Sequence, residues 1–256
     1  MDAHRLPLDP HEQRATAMKT IGVLGGMSWE SSLEWYRLAN ERVRERLGGH
    51  HSARIILDSL DFAEIEELQV RGDWDAAGTL LADHARGLER AGADLIVLCT
   101  NTMHLVADRI EDAISIPFLH IADTTAAAVL ASGIRRVGLL GTAFTMEKPF
   151  YRERLEAQGI EVIVPSAESR AGVHAVIYDE LVHGIIRPES RAFYREVVDE
   201  LVAQGAEGVI LGCTEIELLV SAADSPVPVF PTTALHVDAA LAAAGVGAPA
   251  TPKREN

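Results

Sequence analysis

Short apolar runs near residues 20–25, 54–60, 94–99, 136–141, 160–164, 208–212 and 227–230 alternate with longer amphipathic stretches such as 29–47, 74–91, 147–158 and 190–204. No other feature of the chain constrains its fold as much. Runs rich in Val, Ile and Leu, too short for helices and too continuous for one-faced strands, read as strands buried on both faces. The stretches between them then read as crossover helices, and the pattern predicts an α/β protein with parallel sheets. Two flanks lack any period: 1–17 is expected to be a disordered extension and 247–256 a tail.

The alternation repeats. Arg136–Thr142 (RVGLLGT) echoes Thr20–Gly26 (TIGVLGG) at an offset of 116, and Gly205–Thr214 lies on Gly92–Asn101 at 113. Pro228-Val-Phe, followed by an Ala-rich segment, lies on Pro117-Phe-Leu at 111. Any two βαβ units share part of such a pattern, but three collinear matches predict two similar halves, roughly 20–133 and 134–245.

Composition narrows the partners. Lys and Arg total 23 against 38 Asp and Glu, a net charge of −15 with no basic block, which argues against nucleic acid and anionic membranes. No apolar run approaches the ~18–20 residues of a spanning helix. Two cysteines cannot make a disulfide framework, and no leader pattern opens the sequence, so a reducing cytoplasmic location is expected.

Open α/β sheets bind ligands beyond the carboxyl ends of their strands. The repeat aligns two such ends, Thr100-Asn101-Thr102 and Cys213-Thr214-Glu215, across what would be one cleft. Cys213 follows Gly212 just before a helix start, whose partial positive charge favours thiolate, while the charge of Glu215 opposes that shift. The competing reading is a buried cysteine acting as a small hydrophobe. Cys99 points to the other strand face and is expected in the core. Thr100, Asn101 and Thr102 offer hydroxyls, an amide and backbone N–H groups suited to a carboxylate or to plain N-capping. His104, four residues on, is a candidate proton relay or a packed histidine. The glycines of Gly25-Gly26-Met27-Ser28 and of Gly141-Thr142-Ala143-Phe144-Thr145 allow backbone N–H groups close to an anion. Nucleotide and zinc motifs are missing, the ten histidines are scattered, and no metal is expected.

Cys99-Thr-Asn-Thr-Met-His104, Gly212-Cys-Thr-Glu215 and Ile21-Gly-Val-Leu-Gly-Gly-Met27 together resemble the aspartate/glutamate racemase family, over about Lys19 to Ala244. The resemblance is strongest to its branch opening G-G-M-S-W-E-S. It implies a pyridoxal-independent racemase, requiring no cofactor, built from two pseudo-symmetric α/β domains with the active site in the cleft between them. Its domains would fall at 18–120 plus 233–246 and at 121–232. It further implies a small-molecule amino-acid substrate, aspartate or glutamate, and a homodimer. Carried over by position, Cys213 matches the second catalytic cysteine and Asn101 and Thr102 match the Asn-Thr after the first. Met27, Ser28, Thr142 and Thr145, with Thr214 and Glu215, match substrate-binding positions, and Gln69 is the candidate for side-chain carboxylate recognition.

This sequence departs from the family at one place: Thr100 stands where most members carry the first cysteine. The resulting expectation is an asymmetric enzyme, with Cys213 deprotonating the L form and Thr100 delivering a proton on the opposite face. Two rivals remain at the level of sequence, another reaction on a small dicarboxylate and a bilobal binder without catalysis. No cation is marked for the distal carboxylate, with Arg54, Lys148 and Arg170 all available.

Overall fold

The computed structural model describes residues 18–247; the expected extension at 1–17 and the tail from 248 lie outside them. The first half contributes β1 (Ile21–Gly25), β2 (Ile55–Ser59), β3 (Leu95–Leu98) and β4 (Phe118–Leu119), paired in parallel in the order β2-β1-β3-β4. The second contributes β5 (Arg136–Gly141), β6 (Glu161–Ile163), β7 (Gly208–Gly212) and β8 (Val229–Pro231), parallel in the order β6-β5-β7-β8. Identical strand order is the structural form of the sequence repeat. Every residue of the central strands β1, β3 and β7 is buried, as continuous apolar runs require when helices cover both sheet faces.

Helices in the first half are α1 (Trp29–Leu47), α2 (Phe62–Arg71), α3 (Trp74–Arg90) and α4 (Ala107–Glu111). Those that follow are α5 (Ile121–Ala131), α6 (Ala143–Glu147), α7 (Pro149–Glu156), α8 (Ala167–Asp179), α9 (Pro188–Ala203), α10 (Thr214–Leu219) and α11 (Thr232–Ala243). Starts are capped where the sequence offers a short oxygen side chain: Ser28 for α1, Asp61 for α2, Asp73 for α3 and Ser166 for α8.

Each sheet is sandwiched. One face of the first packs Leu24, Ile96 and Leu98 against Leu81, Ala85 and Leu88 of α3. The other packs Val23, Leu95 and Val97 against Trp35, Ala39 and Val43 of α1 and against Val237, Ala240 and Leu241 of α11. In the second sheet, Val137, Leu139 and Ile210 meet α5 and α7 through Ala126, Val129 and Tyr151, while Leu140, Val209 and Leu211 meet α8 and α9 through Val173, Tyr194 and Val198. The last described helix, α11, therefore returns to the first sheet. No helix among the described residues is long and apolar enough to cross a membrane.

In an order such as β2-β1-β3-β4 the chain leaves β1 to one side and returns on the other, which opens a crevice at the carboxyl ends of β1 and β3. β5 and β7 make the matching crevice in the second lobe. Gly26 makes the turn out of β1 feasible. Its φ is +89°, and a Cβ there would lie 2.1 Å from the Leu60 carbonyl oxygen, so no other residue fits without moving backbone.

Candidate active site

Four strand-end turns, two from each lobe, meet in one narrow cleft. β1 delivers Met27 and Ser28, β3 delivers Thr100, Asn101 and Thr102, β5 delivers Thr142, and β7 delivers Gly212, Cys213, Thr214 and Glu215. Gln69 enters from α2. Five further lining residues were not foreseen: Ser31, Phe62, Ile177, Tyr178 and Val182. Ser31 was within reach of sequence reasoning, since it sits three residues after Ser28 on one helix face. Ile177 and Tyr178 had no signal, because α8 was not among the amphipathic stretches that the alternation marked out.

Glu215 is the electrostatic centre. Its carboxylate is buried, and Oε1 accepts hydrogen bonds from Ser28 Oγ at 2.6 Å and Ser31 Oγ at 2.7 Å, both from the other lobe. Oε2 accepts the Cys213 thiol, with Sγ at 2.9 Å. The expected pull of the helix start toward thiolate, opposed by Glu215, is outweighed. Burial, then the neighbouring Glu215 charge and its hydrogen bond, push the thiol well above its ordinary range, while the backbone amides of Glu215 and Ile216 pull the other way and lose. The resting sulfur is a neutral thiol aimed at a carboxylate.

Thr100 lines the cleft from the first lobe, and its hydroxyl makes no hydrogen bond to another described residue. Asn101 is held by its Nδ2 donating to Thr232 Oγ1 at 3.0 Å, which leaves its buried Oδ1 without a partner. An ammonium group would satisfy that acceptor. Thr102 and Thr142 share a hydroxyl contact of 2.9 Å across the lobes. Thr145 lies behind them, fully buried, 3.3 Å from Thr142 and 3.5 Å from Thr102, and supports the wall rather than lining it. Thr214 Oγ1 accepts from Thr233 at 3.0 Å.

His104 also lies outside the cleft, and its structure does not suit a relay. Nδ1 donates to the Thr100 carbonyl at 2.7 Å and Nε2 accepts the Ile121 amide at 3.2 Å, so both ring nitrogens are committed in one neutral tautomer. Burial and the nearby His120 and His236 keep it neutral. It is a strut that fixes the Thr100 backbone to the start of α5. Cys99 lies in the core under the first sheet, as expected, and burial holds its thiol far above the usual range.

None of the three candidate cations lines the cleft. Arg54 reaches the Met18 carbonyl near the amino ends of the strands, Lys148 stands 5.1 Å over the Trp74 ring, and Arg170 pairs with Glu147. Gln69 is buried and accepts the Tyr178 hydroxyl at 3.3 Å from the other lobe. Trp74 also meets Phe144 across the lobes, edge to face with centroids 5.4 Å apart. Among the described residues no group of three His, Cys, Asp or Glu side chains is arranged to hold a metal ion.

Two like α/β lobes that close a thiol, a carboxylate and strand-end hydroxyls into one cleft define a bilobal α/β protein with a site between its lobes. The chain belongs to the Asp/Glu/hydantoin racemase family, whose model matches residues 24–240. It is similar to a candidate Asp/Glu racemase from Yersinia pestis, 56% identical, with 89% of this chain and 99% of that one covered at a TM-score of 0.83. An aspartate racemase homologue from Pyrococcus horikoshii OT3 is 35% identical, covering 89% of this chain and 100% of that one at a TM-score of 0.79. The broad specificity amino-acid racemase RacX of Bacillus subtilis is 28% identical over 166 residues, 63% of this chain and 70% of that protein.

Proposed function

We propose that the protein is a cofactor-independent racemase of acidic amino acids, with Cys213 and Thr100 working on opposite faces of the α-carbon. The observation that carries this reading is the Cys213–Glu215 pair in a buried cleft that Thr100 lines from the other lobe. A neutral thiol cannot take a carbon-bound proton. A carboxylate in hydrogen-bond contact can accept the thiol proton as substrate settles, leaving a desolvated and strongly basic thiolate beside the α-carbon. Ser28 and Ser31 hold the carboxylate in place for that transfer.

The substrate ammonium fits the unpartnered Asn101 Oδ1, and the α-carboxylate fits the first-turn N–H groups, which also stabilise the carbanion. Thr100 is too weak an acid to finish as an alkoxide, so it takes a proton from water as it delivers its own, and the hydroxide left is neutralised by the proton that Glu215 gives up to solvent. One proton leaves through Cys213 and Glu215, and one enters through Thr100. The same path run backwards converts the D form.

The test follows deuterium incorporation and chirality together on L- and D-aspartate and glutamate in deuterated water. Cys213→Ala should abolish exchange from the L form. Thr100→Val should retain exchange from the L form while inversion falls by about 10²–10⁴-fold, the usual worth of a positioned proton donor. Full exchange in Cys213→Ala refutes the assignment.

A homodimer belongs to the same reading, and the outer face of α1 supports it. Trp29, Leu33, Tyr36 and Leu47 are 62%, 55%, 47% and 46% exposed along one helix stripe, and Leu57 on the adjoining edge strand β2 is 43% exposed. Monomers seldom leave such a contiguous apolar stripe to water. Residues 29–36 carry two acids and no base, whereas 37–47 carry four arginines against two glutamates. Of these arginines Arg42 and Arg46 pair with Asp238 of α11 and Arg37 with Glu34 and Glu41, which leaves Arg44. Antiparallel docking of two α1 helices sets Trp29 against Leu47 and brings Glu30 near Arg44 of the second copy.

A further inference from the structure

The cleft has two kinds of wall. The strand-end turns carry the thiol, the carboxylate and the hydroxyls, whereas the wall formed by α2 and α8 carries Phe62 and Ile177 with two polar groups, Gln69 and Tyr178. Those two are poorly committed. Their mutual hydrogen bond is long at 3.3 Å, and the Gln69 amide nitrogen otherwise meets only the Met103 sulfur at 3.0 Å, a weak acceptor. Gln69 is nevertheless 5% exposed, so bulk water does not supply the missing partners. Tyr178 and Gln69, one from each lobe, thus line the cleft with a phenol held only by a long bond to an amide oxygen and an amide nitrogen held only by a thioether.

The geometry points to Tyr178 as a specificity-determining residue: its hydroxyl, together with the Gln69 amide, takes an acceptor oxygen on the substrate side chain, which replaces Gln69 Oε1 as the partner of the phenol. This rests on the amino-acid racemase reading above and adds to it the group that reads the side chain. The site has reason to use neutral donors. Its charged lining group is the Glu215 carboxylate, and the arginines and lysine considered above lie elsewhere, so side-chain oxygens are recognised by hydrogen bonding rather than by an ion pair. Burial holds the Tyr178 phenol above its ordinary range, which keeps it a donor at neutral pH. The ring itself is fixed by packing on His174, centroids 4.6 Å apart, whose Nδ1 accepts the Ala143 amide. Because Tyr178 and Gln69 come from different lobes, a side-chain oxygen held by both also ties the lobes together over the substrate.

Tyr178→Phe removes the hydroxyl and leaves the ring on His174, and Tyr178→Leu removes both. The experiment measures calorimetric dissociation constants of L-aspartate, L-asparagine and L-alanine, with α-deuteration kinetics in parallel, on the full chain and both variants. A hydrogen bond to a charged acceptor is worth about 1.5–3 kcal/mol, or about 10–100-fold in affinity. The expected result is that Tyr178→Phe loses at least tenfold of the preference for aspartate over alanine and about two- to tenfold of that for asparagine, whose side-chain oxygen is neutral, seen in Kd and KM more than in kcat. Tyr178→Leu should lose the same preference and melt at a lower temperature. An equal loss for alanine, an unchanged preference, or no preference in the parent protein each overturns the proposal. Binding preference without α-deuteration overturns the racemase reading instead, and leaves Tyr178 as a reader of side chains in a binding protein.

Discussion

Replacing Glu215 by Gln removes one negative charge and leaves an isosteric hydrogen-bond partner for Ser28, Ser31 and Cys213. The carboxylate oxygen stands 2.9 Å from the Cys213 sulfur. At that separation a unit charge opposes thiolate formation by about 6 kcal/mol at an effective dielectric of 20, and by about 1.4 kcal/mol in bulk water. At about 1.36 kcal/mol per pH unit, the variant should bring the thiol midpoint down by about 1–4 pH units. The assay is the rate of alkylation by iodoacetamide against pH, in which Cys99 stays silent because it is buried in the core. Alkylation and catalysis should then move in opposite directions. Burial, the larger cause, still keeps most of the variant's Cys213 protonated at neutral pH, so α-proton exchange falls by about 10²–10⁴-fold once the acceptor of the thiol proton is gone. An alkylation midpoint that stays or rises refutes the electrostatic account, and exchange as fast as in the parent removes Glu215 from the proton path.

Two further outcomes are expected. Burial lowers the midpoints of His120 to about 3 and His236 to about 4, and that of His104 well below its ordinary value. The unfolded chain therefore binds up to three more protons than the native one between those values and about 6.5, and stability must fall as pH drops through that window. From pH 6.5 to 5 His120 and His236 each contribute about 1.5–2 kcal/mol of loss, and His104 adds in the same direction. Glu217, raised to about 8 by burial, acts in the opposite sense by a similar amount, so His120, His236 and Glu217 together leave the protein about 1.5 kcal/mol less stable at pH 5, and His104 adds to that loss. Urea unfolding at the two pH values measures it, and equal midpoints contradict the buried neutral cluster. On the outer face of α1, Leu33→Glu should convert the dimer to monomer in sedimentation velocity. Arg44→Glu and Glu30→Arg should each weaken association and together restore it, and monomers in the parent protein end that proposal.

Periodicity carried the fold. The runs at 20–25, 136–141 and 208–212 became strands β1, β5 and β7 within a residue, because a strand covered on both faces must be apolar throughout. The stretch 29–47 became α1 with identical bounds, since Ser28 and Gly48 mark its ends in the sequence itself. The repeat likewise anticipated two sheets of the same order, and with it which strand ends would face each other. These are local or near-local properties, written in hydrophobic spacing, caps and glycines.

Tertiary structure decided whatever depends on distance between remote residues and on removal from water. Ser28 and Glu215 are 187 residues apart, and no spacing rule could place one hydroxyl 2.6 Å from the other's carboxylate. The state of Cys213 turned on the same fact: a helix start favours thiolate, but that partial charge is weaker than burial combined with a full charge in contact. His104 looked free to carry a proton until Thr100 and Ile121 were seen to occupy both its nitrogens. Tyr178 reaches Gln69 only because two lobes close on one another. Sequence determined the strands, the helices and the ends at which chemistry could occur; packing determined which groups meet there and in which protonation state, because Coulomb and desolvation energies follow distance and burial in the folded molecule rather than order along the chain.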